Sequence, residues 1–168
     1  MGRYRPPAPK KSPYITPDGF AALQEESKAL WVRRADVTKA LSAAAAEGDR
    51  SENAEYIYRK KELREIDRRI RYLQKRLPDL KIVRDTPSDT DKVFFGAWVT
   101  LETDHGDEVL YRIVGPDEMD PKKGFISMDS PMARALMKKS VDDDVVVRTP
   151  NGDAEYLVVD VRYGADSD

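Results

Sequence analysis

The chain contains no cysteine, so it can form neither a disulfide nor a thiolate metal site, and zinc is not expected. Such usage suits a reducing cytoplasm. Histidine is almost as scarce: His105 is the only one, it stands in a polar turn, and it lacks neighbours for metal or acid–base work. Long hydrophobic runs are missing too. The opening MGRYRPPAPKKSP is basic and proline-rich with no apolar stretch behind it, so it reads as neither signal peptide nor membrane span. Residues 1–14 are expected to be a disordered tail, and the chain to be cytoplasmic with no membrane partner.

What the chain has in quantity is charge, at 36% of 168 residues, which is too much for one thick core and points to a modest core plus something elongated. The near-neutral total hides an asymmetry. Residues 1–78 carry 18 basic and 11 acidic side chains, a net +7, whereas residues 79–168 carry 11 and 20, a net −9. A basic half suits phosphate or another acidic surface, although a solvated face accounts for a charge run equally well.

Thr16-Pro17 is a helix start, a hydroxyl cap followed by a residue whose missing N–H costs nothing there. Leu23, Leu30, Val37 and Ala44 then recur every seven residues, with Phe20 and Leu41 offset, which is the spacing of a coiled-coil seam. Tyr56, Leu63, Ile70 and Leu77 repeat the step, with Ile66 and Leu73 between, until Pro78 stops the second helix. Folding the chain back at Arg50 sets Ala44 against Tyr56, Val37 against Leu63, Leu30 against Ile70 and Leu23 against Leu77. The pattern predicts an antiparallel two-helix coiled coil over 15–78, a finger about 45 Å long at 1.5 Å per residue. Its second seam is less regular, because Ser27 and Arg34 fall opposite Leu73 and Ile66. Ala43 to Ala46 keep the far end slim while bulkier residues such as Trp31 lie nearer the base; the helix propensity of alanine explains the run as well.

The reversal carries EGDRSENAEY, an acidic tip over 47–55. Asp49-Arg50-Ser51-Glu52 has the form of a capping box for the second helix, with Ser51 as an alternative cap. The same two carboxylates could hold a divalent cation, since Mg²⁺ is usually bound by one or two carboxylates with the rest supplied by water and phosphate. Spacing fits both readings. Behind the tip, residues 59–76 hold nine Lys or Arg against three acids, and Arg59, Lys60 and Lys61 are placed to grip a nucleic-acid backbone or simply to be solvated.

In the second half, LKIV reads as a strand, VFFGAWVTLET and VLYRIVG as a hairpin around DHGD, and VVVRT and AEYLVVDVRY as another around Asn151-Gly152. A small antiparallel sheet with one short helix, 131–139, is the economical fold, giving an α+β chain. Trp98, Phe94, Phe95, Ile113, Ile126, Leu136 and Val159 are the expected core, with Met119, Met128 and Met137 as fillers. In Asp129-Ser130-Pro131, Ser130 reads as the helix cap and Pro131 as the first helical residue.

EGDRSENAEYIYRKKELREIDRRIRYL, KVFFGAWV and ISMDSPMARALMKK closely resemble the Gre family of bacterial transcript cleavage factors, over about Tyr14 to Tyr163, and RSENAEY and REIDRRIRYL look more like one of its two branches. The resemblance implies a coiled coil followed by an FKBP-like globular domain, residues 79–168, that docks to bacterial RNA polymerase. It implies a coiled coil that enters the secondary channel and speeds cleavage of the 3′ end of backtracked nascent RNA by the polymerase, so that the chain is a cofactor of that reaction and not an enzyme alone. By matching position, Asp49 and Glu52 would hold a Mg²⁺ completed by the polymerase and orient the attacking water. Lys60 and Lys61, with Arg59 and Arg64 beside them, would contact RNA, and Asp129, Ser130 and Pro131 would dock. Rival readings are a channel-binding regulator that does not promote cleavage, a coiled-coil adaptor, and a peptidyl-prolyl isomerase; fold alone does not decide among them. A monomer is expected, because the seam is filled from within one chain.

Overall fold

The computed structural model describes residues 2–48 and 53–164. In chain order the elements are β1 (Tyr14–Ile15), α1 (Pro17–Ala45), α2 (Ala54–Arg76), β2 (Lys81–Ile82), β3 (Trp98–Thr103), β4 (Glu108–Val114), β5 (Phe125–Ser127), α3 (Pro131–Leu136), β6 (Asp144–Thr149) and β7 (Gly152–Arg162). They form two compact units: a helical one, Asp18–Leu80, and a sheet unit that joins the residues up to Pro17 to those from Lys81 onward.

In the helical unit the heptad reading holds. Val37 from α1 and Ile66 and Ile70 from α2 form a buried cluster, with Leu30 and Leu63 packed against it. Leu23, Ala44 and Leu73 are buried as well. Ion pairs flank this seam: Arg33 to Glu62 at 3.0 Å, Arg34 to Asp67 at 2.6 Å and Arg69 to Glu26 at 2.9 Å. Exposed pairs of this kind contribute little stability each, but they fix which residues face each other. Arg34, which the heptads set against Ile66, turns its partly exposed guanidinium to the neighbouring Asp67. Trp31 is not a seam residue: it is 49% exposed, because it follows Leu30 and is rotated a further 100° or so around the helix. Pro78 sits inside a short 3₁₀ turn, Leu77–Asp79, that ends α2.

The sheet unit runs β5-β4-β3-β7-β6. Its core gathers Val93, Ala97, Val99, Leu101, Ile113, Val145, Val147 and Val158 with Ala133 and Leu136 of α3. Neighbours are antiparallel except β4 and β5, which are parallel, so the expected all-antiparallel sheet needs correction. The chain from β4 reaches β5 through a short 3₁₀ turn, Pro121–Lys123, and Gly124 at φ 75°, long enough to bring β5 back in the same direction.

Several finer expectations shift for identifiable reasons. The strand predicted from Val93 begins only at Trp98, because Ala97 N–H donates to the Phe94 carbonyl at 3.1 Å in a turn where Gly96 takes φ 89°. Val93 and Ala97 are fully buried, while Phe94, Phe95, Trp98 and Ile126 are half-buried. Val158 replaces Val159 in the core: Thr100 pairs with Asp160 and Leu101 with Val158, so Val159 is the extra residue of a bulge that flips the alternation. The helix expected over 131–139 ends at Leu136, and Lys138 adopts φ 67°. Met119 is 58% exposed and fills no core, unlike Met128, which packs against it. The β6–β7 connection is Pro150-Asn151, with Thr149 paired to Gly152 at φ 112°. Tyr163 accepts from Phe94 N–H at 2.8 Å and donates to the Lys92 carbonyl at 2.5 Å; burial pushes its phenol up from the usual pKa, against the pull of the Phe94 bond.

Candidate functional site

Asp49 and Glu52 lie outside the described residues, but both flanks of the reversal are described. α1 ends with Glu47 N–H donating to the Ala44 carbonyl at 3.2 Å, and Gly48 takes φ 126°, a conformation that L side chains rarely adopt. On the other flank, Asn53 is the N-cap of α2: its side-chain oxygen accepts from Tyr56 N–H at 3.1 Å. Its amide donates to the Ala44 carbonyl at 2.8 Å, which ties the two helix ends together. The cap expected at Asp49 or Ser51 is thus corrected to Asn53. The signal was present in the sequence, since asparagine is among the strongest N-cap residues and Glu55 supplies an acid to the first turn, but the D-x-x-E pattern satisfied the same rule four residues too early.

The capping assignment bears on the chemistry. Once Asn53 closes α2, the carboxylates at 49 and 52 are not needed as its cap. Two carboxylates and no softer donor are the ligand type that Mg²⁺ accepts, though fewer than its six oxygens. No group of three or more His, Cys, Asp or Glu able to hold a metal occurs among the described residues.

The basic residues of α2 divide. Arg59 is engaged by its own helix, with Nε 2.8 Å from Glu55 and Nη1 3.2 Å from Glu62. The bond to Glu55 raises its pKa above the ordinary arginine value; desolvation pulls the other way, and the charge of Glu55 with the bond and charge of Glu62 add to the rise. Lys60 places its ammonium 5.8 Å from the ring centre of Tyr56. Lys61 and Arg64 are exposed, as are Arg68, Arg71 and Lys75 further along. Steps of three and four residues put Lys61, Arg64, Arg68, Arg71 and Lys75 on one face, a cationic stripe about 21 Å long. Exposed Ile57 and Tyr58 stand at its tip end. Arg59 and Arg64 were expected to act alike beside Lys60 and Lys61; the acids at i−4 and i+3 explain why Arg59 is the more restrained.

In the sheet unit, Ser130 caps α3 by accepting from Ala133 N–H at 3.2 Å, and Pro131 is the first helical residue. Asp129 N–H donates to Ser127 Oγ at 3.0 Å, so the loop is held from its buried side. Asp129 and Ser130 are half-buried and Pro131 is exposed.

An antiparallel helical hairpin followed by a curled, mostly antiparallel sheet with one short helix defines an α+β protein of two parts. Residues 13–82 match the family described as Transcription elongation factor, N-terminal, and residues 87–163 match Transcription elongation factor, GreA/GreB, C-term. The chain is 57% identical over 164 residues to the transcription elongation factor GreB of Pseudomonas aeruginosa, covering 97% of this chain and 98% of that protein. It is 58% identical over 167 residues to GreB of Xanthomonas axonopodis pv. citri, covering 98% and 99%. GreA factor homolog 1 (Gfh1) of Thermus thermophilus, a solved structure, aligns at 26% identity and a TM-score of 0.41 over 89% of this chain and 97% of that one. The chain belongs to the GreA/GreB family of transcription elongation factors, and its closeness to GreB sequences agrees with the branch that RSENAEY and REIDRRIRYL suggested. Among the described residues no helix is long and apolar enough to cross a membrane.

Proposed function

We propose that the chain binds bacterial RNA polymerase, inserts its helical hairpin into the secondary channel and stimulates Mg²⁺-dependent endonucleolytic cleavage of the 3′ end of backtracked nascent RNA, so that elongation resumes. The observation that supports this reading is the Asn53 cap, which gives the N-cap position of α2 to a residue other than Asp49 and Glu52. Asp49 and Glu52 would share Mg²⁺ with carboxylates of the polymerase and orient the attacking water by accepting its hydrogen bonds. A second ion at such a centre, when bound, stabilises the attacking and leaving oxygens of an in-line displacement. Lys61 and Arg64, with Lys60 and Arg59 behind them, hold the phosphates of the extruded RNA. Asp129, Ser130 and Pro131 dock on the polymerase. The chain works as a cytoplasmic monomer, consistent with a seam filled by its own Val37, Ile66 and Ile70. It supplies part of a catalytic centre and is not an enzyme by itself.

The test uses polymerase stalled in a backtracked state with labelled RNA. Asp49→Asn and Glu52→Gln should still bind the polymerase yet release little 3′ fragment, with rates at least about tenfold below that of the unaltered chain. Undiminished release by the double variant would exclude the carboxylates from the reaction. Failure of every version to bind would instead favour an adaptor.

A further inference from the structure

Ser12 and Thr16 make the same contact twice. Ser12 donates its backbone N–H to Oδ2 of Asp129 at 2.9 Å and its hydroxyl to Oδ1 at 2.5 Å. Thr16 donates its N–H to Oε2 of Glu118 at 2.9 Å and its hydroxyl to Oε1 of the same carboxylate. Glu118 also accepts Gly115 N–H at 2.8 Å. Between the two clamps β1 pairs in parallel with β2, Lys81 N–H donates to the Pro13 carbonyl at 2.7 Å and Val83 N–H to the Ile15 carbonyl at 2.9 Å. Ile15 and Thr16 are buried. A Cβ on Gly115 would lie 2.0 Å from the Tyr14 carbonyl oxygen, so the strand passes where only glycine fits. Ser12 and Pro13 fall inside the stretch expected to be a tail, yet both are bonded into the sheet unit.

The consequence concerns Asp129. Its backbone is fixed by Ser127, but its carboxylate is fixed from a residue 117 positions away, through two bonds that between them use both oxygens. Bonds to an ionised acceptor are the strong kind, and a two-point grip sets the rotamer as well as the position. We propose that Ser12 is a positioning residue for the polymerase-docking loop: by holding both oxygens of Asp129 it orders that carboxylate before the encounter, so that less conformational freedom is lost on binding. The inference rests on the docking role proposed for Asp129. The pattern is invisible in the sequence because the partners are far apart and Ser12 belongs to no motif.

The full chain carrying Ser12→Ala, Ser12→Thr, Asp129→Asn, or Ser12→Ala with Asp129→Asn is titrated against RNA polymerase, and binding and half-maximal cleavage concentration are read in parallel. Ser12→Ala should raise both by about threefold to tenfold, the effect of one lost hydrogen bond, while the maximal cleavage rate moves less than twofold. Ser12→Thr, which keeps the hydroxyl, should restore binding to within about twofold of the unaltered chain. Asp129→Asn should weaken binding, and Ser12→Ala should then add little to it, because the group it positions has been altered. Unaltered or tighter binding by Ser12→Ala, with Asp129→Asn weakened, overturns the proposal and leaves the docking role standing. Equal loss in Ser12→Ala and Ser12→Thr, or full additivity with Asp129→Asn, overturns it too. Unaltered binding by Asp129→Asn removes the docking role and the proposal together.

Discussion

Asn53 closes the first turn of α2 with its side-chain oxygen and reaches back to the Ala44 carbonyl with its amide, so one residue holds both flanks of the reversal. Asn53→Ala loses both bonds and should lower stability by about 1 kcal/mol, within the 0.5–2 kcal/mol range of cap removal. Asn53→Asp keeps the acceptor and loses the donor, so in urea unfolding it should fall between the two. A variant as stable as the original chain would deny Asn53 this role. Ser130 and Pro131 were legible because cap and first-turn chemistry are local. Val158 and Trp31 were not, because a bulge and a single helical step decide which way a side chain points, and neither leaves a mark in composition.

The helices were the most legible elements. A seven-residue repeat extended over both halves of a hairpin has few alternative packings, and Val37, Leu63, Leu30 and Ile70 meet as the pairing about Arg50 requires. The sheet was legible as strands and turns but not as pairing: nothing local says that β5 runs parallel to β4, since that depends on where the connecting chain returns. At this scale the cationic stripe of α2 carries its own test. Lys61→Ala with Arg64→Ala removes two exposed cations without disturbing the seam. If both touch single-stranded RNA phosphates, the slope of log affinity for long backtracked RNA against log salt should flatten by about 1.4. Arg59→Ala should act less through salt than through stability, because its guanidinium is bonded to Glu55 and Glu62. An unchanged slope in the double variant would assign the stripe to solvation alone.

For the whole molecule, the charge asymmetry acquires a physical reading. By unit, residues 18–80 of the hairpin carry 14 basic and 12 acidic side chains, a net +2, and the sheet unit that carries Asp129 has 15 and 19, a net −4. Such a division favours contact of the hairpin with polyanions and disfavours it for the sheet. Family membership and the helical hairpin were both readable from residues, because the motifs around the tip are long; the brace between Ser12 and Asp129 required coordinates. The proposed function requires that two carboxylates of this chain complete a Mg²⁺ site that the polymerase alone fills poorly. Its most direct test is the Mg²⁺ dependence of transcript cleavage in one backtracked complex, measured without the chain, with it, and with its Asp49→Asn, Glu52→Gln form. The half-saturating Mg²⁺ concentration should fall when the chain is added and return to the polymerase-alone value with the double variant. An identical Mg²⁺ requirement in all three would contradict the account.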